Sequence, residues 1–233
     1  MILQSMSDVI ILYGPPLAGK GTQVCVLQEL LKDYFHLDFG TELRKYIESY
    51  SNSSSQEEAD RAKRLQQKIE AGEGVLTEDL RYVVESRIEN VVDDGGKLLI
   101  EGPGRLVAEA EWLSKFFAEK KLSVTIFHLH IDLDTTLARA KNRWYCKGYS
   151  RPFTSKEEAI TSCKGEPYRR YEDQNEGVNI SRYKKLYDDQ YALIIQTYQL
   201  LCQALVLTID ASKSIEEVSE IITQYLKVYF DWK

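Results

Sequence analysis

The run LYGPPLAGKGTQ, residues 12–23, carries the residue types that hold phosphate. Gly14, Pro15, Ala18, Gly19 and Lys20 make a glycine-rich loop closed by a lysine. Glycines let successive backbone N–H groups turn inward on an anion, and the lysine adds a point charge for the terminal phosphates. The common form of this loop puts Ser or Thr directly after the lysine. Here Gly21 follows, and the hydroxyl arrives one residue later, at Thr22. No Asn-Lys-x-Asp guanine reader occurs, and DDGG (93–96) precedes an apolar run instead of following one, so a GTPase switch is excluded by position. His128 and His130 alternate around Leu129 and read as core or strand-end residues before they read as metal ligands.

A loop of this kind needs a strand before it and a helix after it, with the helix N-terminus aimed at the anion. The apolar run at residues 9–13 supplies the strand, and a helix is expected from about Lys20. Four more short apolar runs, at 35–39, 97–101, 124–131 and 205–209, are separated by helical patterns. Parallel strands need crossovers of a dozen or more residues, so the alternation predicts an α/β fold, a doubly wound five-stranded parallel sheet of the P-loop NTPase type. Ligands should lie at the carboxyl ends of its strands. Two connections are too long for simple crossovers. Residues 40–96 hold the turn-like SNSSS and then a helix ended by glycine, while the polar segment 144–178 reads as a mobile lid or as disorder. Its arginines favour the lid.

The chain has 233 residues with a net charge of −6, which argues against a duplex-binding surface. Cys25, Cys146, Cys163 and Cys202 form no C-x-x-C pair, so they are expected to be unpaired, as in a reducing, cytoplasmic setting. Two lid cysteines without such a pair, and without a lid histidine, do not make a zinc site. The first residues have no basic leader, no apolar run is long enough to span a bilayer, and Met6 is a second candidate start.

The segment GPPLAGKGTQ resembles the phosphate loop of the adenylate kinase family, in which Gly-Thr after the lysine is the normal order. HLDFGTELRKYI (36–47), AGEGVLTED (71–79), LLIEGPGRLVAEAEWL (98–113), LARAKNR (137–143), GEPYRRYEDQ (165–174) and the helix-like 181–198 are similar to further family segments, in family order. The resemblance implies a monomeric ATP-dependent nucleoside monophosphate kinase with Mg²⁺. Its small-molecule nucleotides would bind without nucleic acid or membrane. It implies a core of residues 1–39, 76–143 and 179–233, a monophosphate-binding insertion at 40–75 and a lid at 144–178.

Roles carried over by resemblance place Gly14, Pro15, Ala18, Gly19, Lys20, Gly21, Thr22 and Arg139 around ATP, with Arg139 against its base. Phe39, Gly40, Arg44, Val75, Leu76, Gly102, Arg105 and Glu109 would surround the acceptor. Lys20, Arg105, Arg143, Arg170 and Arg182 would act on the transferring phosphoryl group, with Arg169 as the alternative to Arg170 because the spacing there differs by about one residue. Glu101 would hold Mg²⁺, through water, or pair with Lys20. The acceptor side departs from the family: Phe39 replaces Thr, Pro103-Gly104 replaces Phe-Pro, and Glu109 replaces the Gln that reads the base. Either Glu109 reads a base other than adenine, or it points to solvent and a carbonyl near Val75 or Leu76 does the reading. A chain of the same fold that binds nucleotides without transferring phosphate, as a sensor or scaffold, is the rival reading.

Overall fold

The computed structural model describes residues 7–103, 105–149 and 152–229; Met6 and Gly104 lie outside them. Five strands, β1 (Val9–Tyr13), β2 (Tyr34–Asp38), β3 (Lys97–Glu101), β4 (Val124–His130) and β5 (Leu205–Asp210), form one parallel sheet in the order β2-β3-β1-β4-β5. Each falls within a residue of its apolar run. The helices are α1 (Lys20–Leu30), α2 (Phe39–Tyr50), α3 (Gln56–Ala71), α4 (Thr77–Asp93), α5 (Val107–Glu119), α6 (Leu133–Lys141), α7 (Lys156–Ser162), α8 (Tyr171–Gln174), α9 (Glu176–Tyr183), α10 (Tyr191–Cys202) and α11 (Ile215–Tyr229).

The strands are apolar on both faces because both faces are covered. Val9, Ile11 and Tyr13 pack with residues of α4, α5 and α10, while Ile10 and Leu12 pack on the other side with α1 and α11. The chain leaves β1 for β2, returns to β3 at one flank of β1, then crosses to β4 at the other. That reversal opens a crevice at the carboxyl end of β1, where the loop 14–19 sits.

Gly14 is fixed there by space. At φ 150° its backbone is so close to β4 that a Cβ would lie 2.2 Å from the Leu129 carbonyl oxygen. Gly14→Ala must push β1 and β4 apart, and overpacking of this kind costs about 3 kcal/mol. Chemical denaturation is expected to show that loss, with the transition midpoint lowered at unchanged slope.

The two long connections are structured. α2 and α3 pack together, and α3 ends at Gly72 (φ 71°), where the Glu73 N–H bonds the Lys68 carbonyl at 2.9 Å. A Cβ on Gly72 would meet Val178 Cγ1 at 2.9 Å and Arg182 Cγ at 3.0 Å, so the end of α3 rests directly on α9. DDGG is a helix terminus, with the Gly96 N–H on the Val91 carbonyl at 2.8 Å.

In the polar segment, Trp144 pairs with Phe153 and Tyr145 with Tyr168 as antiparallel bridges, and α7 lies between. Cys146 and Cys163 are joined by a disulfide across this unit, Cα to Cα 5.8 Å. The expectation of four unpaired cysteines is therefore corrected; only Cys25 and Cys202 are free. Sequence spacing misses the pair because 17 residues separate two cysteines that the bridges fold together. The pairing also removes the ground for inferring a reducing compartment. After α9 the chain makes a π turn, Lys184–Asp188. A π turn holds more residues than an α turn, so it can absorb a one-residue change of spacing near Arg182. No helix among the described residues is long and apolar enough to cross a membrane.

Candidate active site

Gly19 (φ 87°) precedes α1, whose first residue is Lys20. Lys20 Nζ donates to the carbonyls of Gly14 (3.0 Å) and Pro15 (2.7 Å), so it folds back over its own loop. Burial lowers its pKa to about 7; Glu101 opposes this, and Arg105, Arg143 and Arg182 add to it. Glu101 is near enough to act on Lys20, but the one basic side chain within 4 Å of its carboxylate among the described residues is His36, Nε2 to Oε2 3.7 Å. The expected Lys20–Glu101 pair is replaced by the two carbonyl bonds.

A Cβ on Gly21 would lie 3.3 and 3.4 Å from the two carboxylate oxygens of Glu101, so a side chain there would have to move that carboxylate by a few tenths of an ångström, and Thr22 is the first hydroxyl of the helix. Among the described residues no three acidic, His or Cys side chains converge on a metal. One carboxylate beside a phosphate loop nevertheless fits Mg²⁺, which takes its remaining ligands from phosphates and water. Glu101 would hold it, and the ion would neutralise charge on the transferring oxygens.

On the donor side Arg139 Nη1 donates to the Leu17 carbonyl (3.1 Å) and Nη2 to that of Ala211 (2.7 Å). These bonds fix its guanidinium between the loop and the end of β5. Pro15 and Ala18 are buried in the loop, and Thr22 is partly exposed.

The acceptor-side candidates converge on one pocket. Phe39, Gly40, Leu43 and Arg44 come from α2, Ile69 and Val75 from the end of the insertion, Gly102 and Arg105 from the loop after β3, Glu109 from α5 and Arg182 from α9. Leu76 is the exception: it is 47% exposed and lines a neighbouring groove with Arg64 and Lys68. Glu109 does not point to solvent. It is 2% exposed, and its Oε2 accepts the Arg105 N–H at 2.9 Å, in the turn ahead of α5.

Residues outside the sequence-based set organise the arginines. Glu172 Oε1 lies 3.1 Å from Arg44 Nη2 and 4.0 Å from Arg182 Nη1. Burial alone would raise the Glu172 pKa, but a backbone hydrogen bond and Arg182, Arg44 and Arg170 outweigh it and hold the carboxyl below its usual range. Asp173, 4.0 Å from Arg143, is pushed up by burial. The Tyr145 ring carries Arg170 at 4.0 Å and Arg143 at 5.0 Å. Arg169 is committed elsewhere, donating to the carbonyls of Ala140 and Asp173. The geometry therefore puts Arg170, not Arg169, in the cationic cluster.

That cluster is strained for charge. Burial, then repulsion from Arg105, pushes Arg182 down to about 10; burial also lowers Arg105 and Arg170, with Arg44 adding to each. Such a site is short of anionic charge, which a phosphate supplies. His128 and His130 are absorbed structurally: both bond the Tyr187 hydroxyl, at 2.9 and 2.7 Å.

A family model described as an AAA domain matches residues 13–159. Among curated proteins, an adenylate kinase of Streptomyces coelicolor is 30% identical over 94% of this chain and 98% of its own length. Adenylate kinases of Alkaliphilus oremlandii and Thermoanaerobacter sp. are each 28% identical, covering 92% and 93% of this chain and 96% and 97% of themselves. The phosphate loop, the sheet order and these full-length matches lead to one conclusion: the chain belongs to the adenylate kinase family, as a divergent member with the nucleotide-kinase fold.

Proposed function

We propose that the protein transfers the γ-phosphoryl group of ATP directly to a nucleoside monophosphate. The observation that carries this reading is electrostatic. Arg105 and Arg182 line the acceptor pocket and at the same time depress Lys20 on the donor loop, so the two sites share one cationic seam. A phosphoryl group passing between two bound nucleotides would lie in that seam, where preorganised cations stabilise spread negative charge.

In this reading Lys20, Arg105, Arg143, Arg170 and Arg182 surround the moving group, Arg139 lies against the ATP base, and Arg44 with Arg105 holds the acceptor phosphate. Residues 40–75 act as the acceptor-binding insertion and 144–178 as a lid that excludes water on closure. The curated relatives are called adenylate kinases, which makes AMP the first acceptor to test. Steady formation of ADP from ATP plus a monophosphate, dependent on Mg²⁺ and lost in Lys20→Met, supports the reading. ATP binding without product from any of AMP, GMP, IMP, CMP or UMP would leave a nucleotide-binding protein without transfer.

A further inference from the structure

Arg143, Arg169 and Arg170 sit beside one small piece of antiparallel backbone, the bridge between Tyr145 and Tyr168. Each of these tyrosines donates its N–H to the other's carbonyl at 2.8 Å. Trp144 and Tyr145 are successive bridge residues, so their rings point to opposite sides. The arginines divide accordingly. Arg169 lies over the Trp144 ring at 5.9 Å, and Arg170 over the Tyr145 ring at 4.0 Å. Arg143 joins Arg170 on Tyr145, at 5.0 Å.

Tyr145 is 7% exposed, so its ring meets the two cations largely away from water, where such an attraction is strongest. Stacking against Tyr168, centroids 5.7 Å apart, holds the ring in place. Among the described residues the Arg170 guanidinium has no ion pair and no hydrogen bond of its own, so the ring is what it rests on. Arg143 has, besides the ring, only Asp173 at 4.0 Å. The two guanidiniums repel each other, and one uncharged ring gathers them. Burial pushes the Tyr145 phenol up to about 12, which keeps it protonated at neutral pH. Its hydroxyl is buried without a hydrogen-bond partner among the described residues, so the side chain meets the cluster through its ring.

We propose that Tyr145 is a positioning residue, whose ring holds Arg143 and Arg170 where both meet the transferring phosphoryl group. This rests on the reading that those two arginines surround that group. A carboxylate in the same place would also gather them, but it would occupy their N–H donors and cancel charge that phosphate must meet. An aromatic face attracts guanidiniums while leaving the donors and the net charge to the phosphate.

The test separates ring from hydroxyl and from bulk. Tyr145→Phe should keep kcat/KM for ATP within about twofold, with stability unchanged or raised, because the lost hydroxyl has no partner. Tyr145→Leu should cost about 30-fold. Mono-, di- and trifluorophenylalanine at position 145 keep the ring's shape while draining negative charge from its face. Across that series kcat/KM should fall stepwise, by about tenfold at three fluorines, at an unchanged melting temperature. In an Arg170→Ala background the series should flatten to about threefold or less, since the closer contact is gone.

A flat fluorine series overturns the inference, and so does its full persistence in Arg170→Ala. A Tyr145→Phe as impaired as Tyr145→Leu overturns it too, by assigning the effect to the hydroxyl. The fluorine series stands as the test if Tyr145→Leu does not fold. A wild type that binds inorganic tripolyphosphate but transfers to no monophosphate would end the kinase reading alone. The series is then read in the Kd for tripolyphosphate, where a flat result overturns the positioning role. A wild type that neither transfers nor binds tripolyphosphate overturns both.

Discussion

Arg105→Ala is expected to lower turnover by about three orders of magnitude while leaving ATP affinity within about twofold. Arg105 follows β3, lines the acceptor pocket and acts electrostatically on Lys20 across the seam. A cation in that position is worth most when charge spreads onto the transferring oxygens, and little in the ground state of ATP alone. The effect should therefore appear in kcat and in the acceptor's KM, and hardly in the KM for ATP. Burial lowers the Arg105 pKa, Glu109, Asp38 and Glu172 oppose that shift and Arg44 adds to it, so the melting temperature of the variant is measured beside its kinetics to separate lost fold from lost transfer. Equal losses in ATP and acceptor affinity would contradict the assignment.

Lys20→Met is expected to reduce transfer by about 10³-fold or more, and it should also remove a proton signature. Burial lowers the pKa of the wild-type ammonium to about 7. The unfolded chain keeps the ordinary value of 10.5, so between those values it binds more protons than the folded one. Stability of the empty protein should accordingly rise with pH through that window, the sign expected of a depressed lysine. Bound ATP phosphates would restore the charged form. ATP binding near pH 8 should then take up about one proton, and affinity should fall as pH rises, by up to about tenfold per unit. Calorimetry in buffers of different ionisation heat reads this directly. Proton uptake of the same size in Lys20→Met would assign it to another group.

The sheet was legible in the sequence because parallel strands covered on both faces are near-continuous apolar runs, and the five runs match β1–β5 to within a residue. The loop between β1 and α1 was legible because Gly14 and Gly19 stand where its backbone takes positive φ. The residues that line the pocket beside α2 could be named through family resemblance, but their partners could not. Glu109 could be named from the sequence, yet whether it faced solvent, the helix start or the pocket depended on how the turn after β3 folds back on α5. The choice between Arg169 and Arg170 was also open, since adjacent residues leave the chain in different directions and only the packing around Tyr145 separates them.

Long-range partners were not legible at all. Glu172 reaches Arg44 across 128 residues, and no local pattern announces that bond. The disulfide escaped for the same reason at shorter range, through two bridges that bring Cys146 and Cys163 together. The order Lys20-Gly21-Thr22 shows the division most plainly. Sequence determined the loop's glycine-and-lysine pattern, since that is a matter of consecutive residues. Tertiary structure brought the carboxylate of Glu101, from a strand 80 positions away in the chain, to within 3.3 Å of where a side chain at 21 would begin. Local conformation is written in neighbouring residues; charge balance and excluded volume are set by residues that meet only after the chain has folded.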